Sequence, residues 1–131
     1  MKHPNAVLLS SVYAHFSEGN FQAVLDACSD SMTFQIAGKS KLAGKYTKDT
    51  FLTNFVVKMK ELSGGSYKLE VHDILASDLH AAVLASSKLT THGKTVELRT
   101  VHVWRFDHGK PIAWYEYPRD LYQFDAAWGE I

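Results

Sequence analysis

A single cysteine, Cys28, among 131 residues excludes an internal disulfide, so the chain must draw its stability from burial. Proline is scarce as well, with three residues in all, which argues against any Pro-rich linker dividing the chain. No charge of one sign prevails: 14 Lys and Arg balance 14 Asp and Glu without a long block of either, which removes the electrostatic basis for a nucleic-acid partner or an anionic membrane. No apolar run approaches the ~20 residues that a membrane-spanning helix needs, and the first residues lack the apolar centre of a signal peptide. A reducing, cytoplasmic setting is therefore expected, with Cys28 a small buried hydrophobe on a helix face. The seven histidines are scattered, no pair of them has the i,i+4 spacing of a zinc site, and no glycine-rich phosphate loop or nucleophile elbow occurs, so neither a metal nor a cofactor is expected.

What is present is enough apolar residue, 46%, for one continuous core, and residues 1–131 read as a single domain. Asn5 is the expected cap of a first helix whose Leu9, Val12, Tyr13 and Phe16 recur at helical spacing, with Gly19 as a left-handed stop. Asn20 caps a second helix striped by Phe21, Val24, Leu25 and Cys28. A short strand is expected at Thr33 to Ile36, followed by irregular chain through Gly38 and Gly44 to Tyr46. Thr47 caps a third helix carrying Phe51, Phe55, Met59 and Leu62, which Gly64-Gly65 ends.

From there the pattern changes to period two, with strands expected at Tyr67 to Leu75, His80 to Thr90, Thr95 to Phe106 and Ile112 to Tyr117, joined as antiparallel hairpins. Pro118 closes the last, and Leu121, Phe124 and Trp128 suggest a terminal helix or turn. Helices followed by a long meander make an α+β pattern. Three N-terminal helices packed on a strongly curved, mainly antiparallel sheet would form a cone with a pocket inside.

The segment 101–117 carries the chemistry. A three-residue loop Asp107-His108-Gly109 is preferred over a two-residue turn that would force His108 to positive φ. That loop pairs Phe106 with Lys110, sets His102 opposite Trp114 and Thr100 opposite Glu116, and gathers His102, Trp104, Trp114 and Glu116 on one face with His102 and Glu116 diagonal. The same geometry at Thr91-His92-Gly93-Lys94 pairs Thr90 with Lys94, which places His80, Ala82 and Leu84 on the His102 face. His102 and Glu116 are then the candidate acid/base pair, a carboxylate among Trp114, Trp104 and Ile112 being expected to resist ionisation. The plainer alternative pairs Glu116 with Arg119 or Arg99. Tyr13, Phe16, Phe34, Phe51, Phe55, Met59, Leu84, Trp104 and Trp114 are the candidate ligand-binding walls. The opposite face, with Arg99, Val101, Val103, Arg105, Ala113, Tyr115 and Tyr117, suits a twofold homodimer interface.

Three segments together resemble the nuclear transport factor 2-like superfamily (cystatin-like fold), and within it the bacterial SnoaL-like polyketide cyclases and ketosteroid isomerase relatives. They are Tyr13-Ala14-His15-Phe16-Ser17-Glu18-Gly19-Asn20-Phe21, Ile36 to Ser40 with Leu42 to Tyr46, and His102 to Lys110. The resemblance covers nearly the whole chain. It implies a cone-shaped α+β barrel with an apolar cavity, often dimeric through the outer sheet face, on a fold that hosts isomerases, cyclases, dehydratases, epoxide hydrolases and noncatalytic binders. His102 falls where ketosteroid isomerases place an aspartic acid that stabilises the enolate oxygen, and Glu116 near the acid of the cyclases. The isomerase base has no counterpart at Ile36-Ala37, and Tyr13 stands one place from the isomerase tyrosine, about a quarter turn of helix away. The expected function is binding of an apolar or partly oxygenated small molecule, with cofactor-independent acid/base chemistry of the isomerase, cyclase or dehydratase type. The alternative is a noncatalytic ligand-binding or protein-association domain.

Overall fold

The computed structural model describes residues 2–129. Helix α1, Pro4–Ser17, is opened by the ring of His3, whose Nδ1 accepts from the Asn5 backbone N–H, with Pro4 at the first helical position. Proline fits there because its missing N–H would have had no partner in any case. Asn5 is thus the second residue of the helix and not its cap; its side-chain amide donates to the carbonyls of Ser77 and Asp78 and ties α1 to the turn at those two residues. Helix α2, Phe21–Asp26, is capped by Asn20 as expected, its side chain accepting from the Ala23 N–H.

Strands β1, Thr33–Ile36, and β2, Gly44–Thr47, follow, and then a continuous helical stretch: α3, Lys48–Thr50, a π-helical segment, Phe51–Val56, and α4, Val57–Ser63. The wider π turn holds residues four apart on one side, so Phe51 and Phe55 both point inward. Gly64 ends α4 in the left-handed conformation. The meander is β3, Lys68–Ala76, β4, His80–Thr91, β5, Lys94–Asp107, and β6, Lys110–Pro118; α5, Leu121–Trp128, closes the described chain. No described helix is long and apolar enough to cross a membrane.

The strands form one curled, unclosed sheet in the order β2-β1-β6-β5-β4-β3. The meander is antiparallel, but β1 joins β6 in parallel, setting Phe34 beside Trp114 and Ile36 beside Glu116. The helices cover the concave face, and the core between them includes Leu9, Val12, Val24, Phe34, Phe51, Phe55, Trp104 and Trp114. The fold is α+β, as the element order predicts.

Both Xaa-His-Gly-Lys turns differ from the expected loop. Asp107 pairs with Lys110 and Thr91 with Lys94, so each is a two-residue turn with histidine at positive φ, 50° at His108 and 51° at His92. Tight turns of this hand match the twist of the flanking strands, and that match outweighs the local cost of a left-handed histidine. In the β5–β6 hairpin a bulge at Ile112 follows the turn, so Phe106 pairs with Pro111 and Arg105 with Ala113. Pro111 has no N–H for the ladder, and its carbonyl is diverted to the Ser29 N–H at 2.9 Å. The bulge restores the expected face: His102 lies directly opposite Glu116, Trp104 opposite Trp114, and Thr100 becomes the diagonal neighbour of Glu116.

The β4–β5 hairpin carries no such bulge, and its register is one residue away from the expected one. Val83 lies opposite His102 and Ala81 opposite Trp104, while His80, Ala82 and Leu84 turn to the other face. Leu84 is 39% exposed and His80 is exposed. Neither belongs to the cavity wall, which corrects the expectation for Leu84. Replacing His92 and His108 together by asparagine, which accepts positive φ more readily, is expected to stabilise the protein by about 0.5–1 kcal/mol in urea denaturation. An unchanged midpoint would show that the histidines hold these turns without strain.

Candidate functional site

Helix α1 and strands β5 and β6 bring the site together. A buried run of hydrogen bonds crosses the end of an apolar cavity: the Trp104 indole N–H donates to the Tyr13 hydroxyl at 2.9 Å, and that hydroxyl lies 2.6 Å from His102 Nδ1. His102 Nε2 is 3.0 Å from Glu116 Oε2, which also accepts from the Thr100 hydroxyl. His102 is 2% exposed and Glu116 8%. The Trp114 ring stands edge-on to the imidazole, with centroids 4.8 Å apart, and fixes its plane.

Tyr13 therefore reaches the site despite its offset from the isomerase position. Burial, and then the charge of Glu116, push its pKa upward, so the phenol stays protonated and acts as a hydrogen-bond donor. Burial likewise pushes the Cys28 thiol to about 11, and its S–H donates to the Val24 carbonyl; it takes no part in the site. Among the described residues no three His, Cys, Asp or Glu side chains converge as metal ligands.

The cavity above this run is narrow, about 50 Å³, and its wall includes Tyr13, Phe16, Phe34, Phe51, Phe55, His102, Trp104, Trp114 and Glu116. Room for a few waters is not room for a ring, since a cavity of roughly 150 Å³ is needed to take a benzene. Met59, expected in this wall, is buried instead beside a second, outer groove of about 530 Å³, which corrects that assignment. Its place four residues beyond Phe55 carries it past the π segment onto α4, toward the groove. Leu84 is absent from both.

Sequence reasoning missed four wall residues as ligand contacts, Val12, Val24, Tyr67 and Leu69. Val12 and Val24 stood in helical stripes indistinguishable from core. Tyr67 just precedes β3 and Leu69 lies near its start; the inward parity of that strand changes at a bulge between Val71 and Asp73, and only its first half reaches the cavity. Phe16, Tyr67 and Leu69 line both the cavity and the outer groove, so these three side chains separate the two spaces.

Solved structures share this fold over nearly their whole length. A protein from a soil-derived mobile gene cassette, Bal32a, is 21% identical with a TM-score of 0.86, covering 96% of this chain and 97% of its own. A protein of unknown function with a cystatin-like fold from Xanthomonas campestris is 20% identical with a TM-score of 0.85, covering 96% and 98%. TerC, co-crystallised with polyporic acid, is 20% identical with a TM-score of 0.83, covering 95% and 98%. None of the curated proteins compared matches the chain. Residues 9–114 match the SnoaL-like domain, and with most of its length inside that match this chain belongs to the SnoaL-like family of the nuclear transport factor 2-like superfamily.

Proposed function

We propose that the cavity binds an apolar molecule bearing a carbonyl or hydroxyl oxygen, and that Glu116, His102 and Tyr13 move a proton on it without a cofactor. The observation that carries this reading is the buried hydrogen-bond run ending at two groups of the cavity wall, Tyr13 and Glu116. Two proton placements satisfy that run. In the first, Tyr13 donates to His102 Nδ1 and the Nε2–H donates to the Glu116 carboxylate. In the second, the Glu116 carboxyl carries a proton on Oε1, the Nε2–H still donates to Oε2, and the Tyr13 hydrogen turns from Nδ1 into the cavity.

The second placement holds one more proton than the first. A carbon acid can supply it: Glu116 takes the proton from the carbon beside a carbonyl, the bonding pair stays on the ligand as an enolate, His102 keeps its Nε2–H, and the Tyr13 hydroxyl turns from Nδ1 to donate to the enolate oxygen. His102 thereby holds base and oxygen stabiliser beside one ligand in a water-poor site, where such donors are most effective. Return of the proton to another carbon would give isomerisation; attack of the enolate on a second carbonyl would give cyclisation. The co-crystallisation of TerC with polyporic acid is in keeping with a small-molecule ligand for this chain.

The test is deuterium incorporation into small acyclic enolisable ketones such as acetone and butanone, followed by NMR in D₂O. Exchange faster than buffer is expected, with Glu116→Gln lowering it by at least about 100-fold while Kd changes little. Exchange that is equally fast in the Gln variant would sink the proposal. A noncatalytic association module is the second reading, favoured by the small cavity and by polar groups that satisfy one another. It predicts neither exchange nor binding.

For assembly, we propose a twofold dimer through the outer face of β5 and β6. Val101, Val103, Tyr115 and Tyr117 point away from the cavity there, and Tyr117 is 54% exposed. Sedimentation velocity is expected to show a dimer that Tyr117→Glu with Val103→Glu converts to monomer; a monomeric parent protein would refute it.

A further inference from the structure

The outer groove lies where the end of α1, the start of α2, α4 and the start of β3 meet. Its volume of about 530 Å³ supplies the room for a ring that the inner cavity lacks, roughly 150 Å³ being enough for a benzene. Phe16, Phe21, Met59, Tyr67 and Leu69 give it an apolar wall. Packing fixes the aromatic part of that wall: Phe16 stands edge-on to both Phe21 and Tyr67, with centroids 5.4 and 6.4 Å apart.

The charge of this groove has one sign. Lys60 and Lys68 line it and no Asp or Glu does, in a chain whose charges balance overall. Lys60 Nζ lies over the Phe21 ring, 5.3 Å from its centroid, so the ammonium is kept against the groove wall. Lys68 stands directly opposite Lys88 across the β3–β4 ladder, a pairing of like charges that costs stability. Lys88 has Glu97 at 3.8 Å, but among the described residues neither Lys60 nor Lys68 forms an ion pair, although Glu61 follows the first and Glu70 lies two residues beyond the second. An unrelieved like-charge pairing beside an apolar groove of ligand size is explained by an occupant that carries the missing negative charge.

We propose that the groove is a second binding site, for a small amphiphilic carboxylate whose chain or ring covers the apolar wall and whose carboxylate is held by Lys60 and Lys68. A neutral molecule of the same shape would leave Lys68 facing Lys88 uncompensated, and a cation would add to the repulsion. A small inorganic anion would leave the apolar wall in water and forgo the burial that the groove offers. Neither lysine reaches the inner cavity, whose wall ends at Phe16, Tyr67 and Leu69 on this side. The site therefore stands apart from the proton run and does not depend on the chemistry proposed there.

Phenylbutyrate, phenylbutanol and phenylbutylamine share one body and differ in the charge of the head group. In protein-observed NMR titrations at low salt the acid is expected to bind at least about fivefold more tightly than the alcohol, with the amine weakest. The backbone amides of Gly19 and Gly65, at the groove, should shift, and the Trp104 indole N–H, at the inner cavity, should not. Raising the ionic strength to about 0.3 M is expected to remove most of the advantage of the acid and leave the alcohol unaffected. Lys60→Met with Lys68→Met should bring the acid to the level of the alcohol; both lysines are exposed, and methionine keeps an apolar stem against the wall. Equal affinities of acid and alcohol would overturn the proposal, as would an advantage that survives in the double variant, a saturating shift at the Trp104 indole in place of the groove amides, or an acid that does not bind.

Discussion

Glu116→Ala is expected to lower the unfolding free energy by about 3 kcal/mol and the melting temperature by roughly 10 °C. The carboxylate accepts from Thr100 and lies against His102 Nε2, and neither of those is more than 6% exposed. Removing it strands two donors where water does not readily reach them, and a stranded donor costs more than the bond it made is worth. Glu116→Gln keeps an acceptor oxygen toward both and is expected to cost about 1 kcal/mol. Replacing all three members, as Glu116→Leu, His102→Leu and Thr100→Val, removes donors and acceptor together and is expected to recover most of the loss. Urea denaturation of the three proteins separates these cases. An alanine variant within 1 kcal/mol of the parent would mean that solvent enters the site freely, which would undermine the water-poor chemistry proposed for it.

Gly38→Ala is expected to be as damaging, at about 3–4 kcal/mol, far from the proton run. Gly38 has φ +97°, and a Cβ there would run into the Asp125 carboxylate. That carboxylate is buried on α5 and accepts from the Lys39 N–H with both oxygens, at 3.1 and 3.0 Å. Displacing it leaves a buried charge without its donor as well as a strained backbone. The same loop binds α5 a second time, the Lys41 N–H donating to the Gly129 carbonyl at 2.7 Å. Loss of this clasp is expected to free α5, with Phe124 and Trp128, before the sheet melts. Hydrogen exchange should show α5 amides losing protection in Gly38→Ala first; uniform protection with a stability within 1 kcal/mol of the parent would contradict the clasp.

The sequence made the fold readable wherever one physical signal dominated. Asn20, Gly64 and the alternation in β4, β5 and β6 each speak plainly, and Thr33–Ile36 has the expected bounds. Strand β2 was hidden because only Tyr46 of its four residues is buried, so no alternation could appear. The parallel pairing of β1 with β6 was hidden because it joins residues about 80 positions apart and leaves no local trace. His102, Glu116, Trp104 and Trp114 came out on one face, yet through a turn and a bulge that the expected loop did not contain. Two segments of like sequence, 91–94 and 107–110, gave the same turn but different faces downstream. Pro111, a residue without an N–H in a strand flanked on both sides, was the available mark of the difference.

The bulge at Ile112 also makes the last strand unequal in its tolerance of change. It holds one residue more than the ladder requires, a unit of slack placed just upstream of Trp114 and Glu116. Loss of a residue at that point would draw the slack in and leave every later pair as it stands. The same loss between Trp114 and Glu116 would have nothing to absorb it, and would carry Glu116 through the sheet to the side facing away from His102. Length variation in relatives of this hairpin is thus expected to gather at a single address, between the turn and the first inward indole.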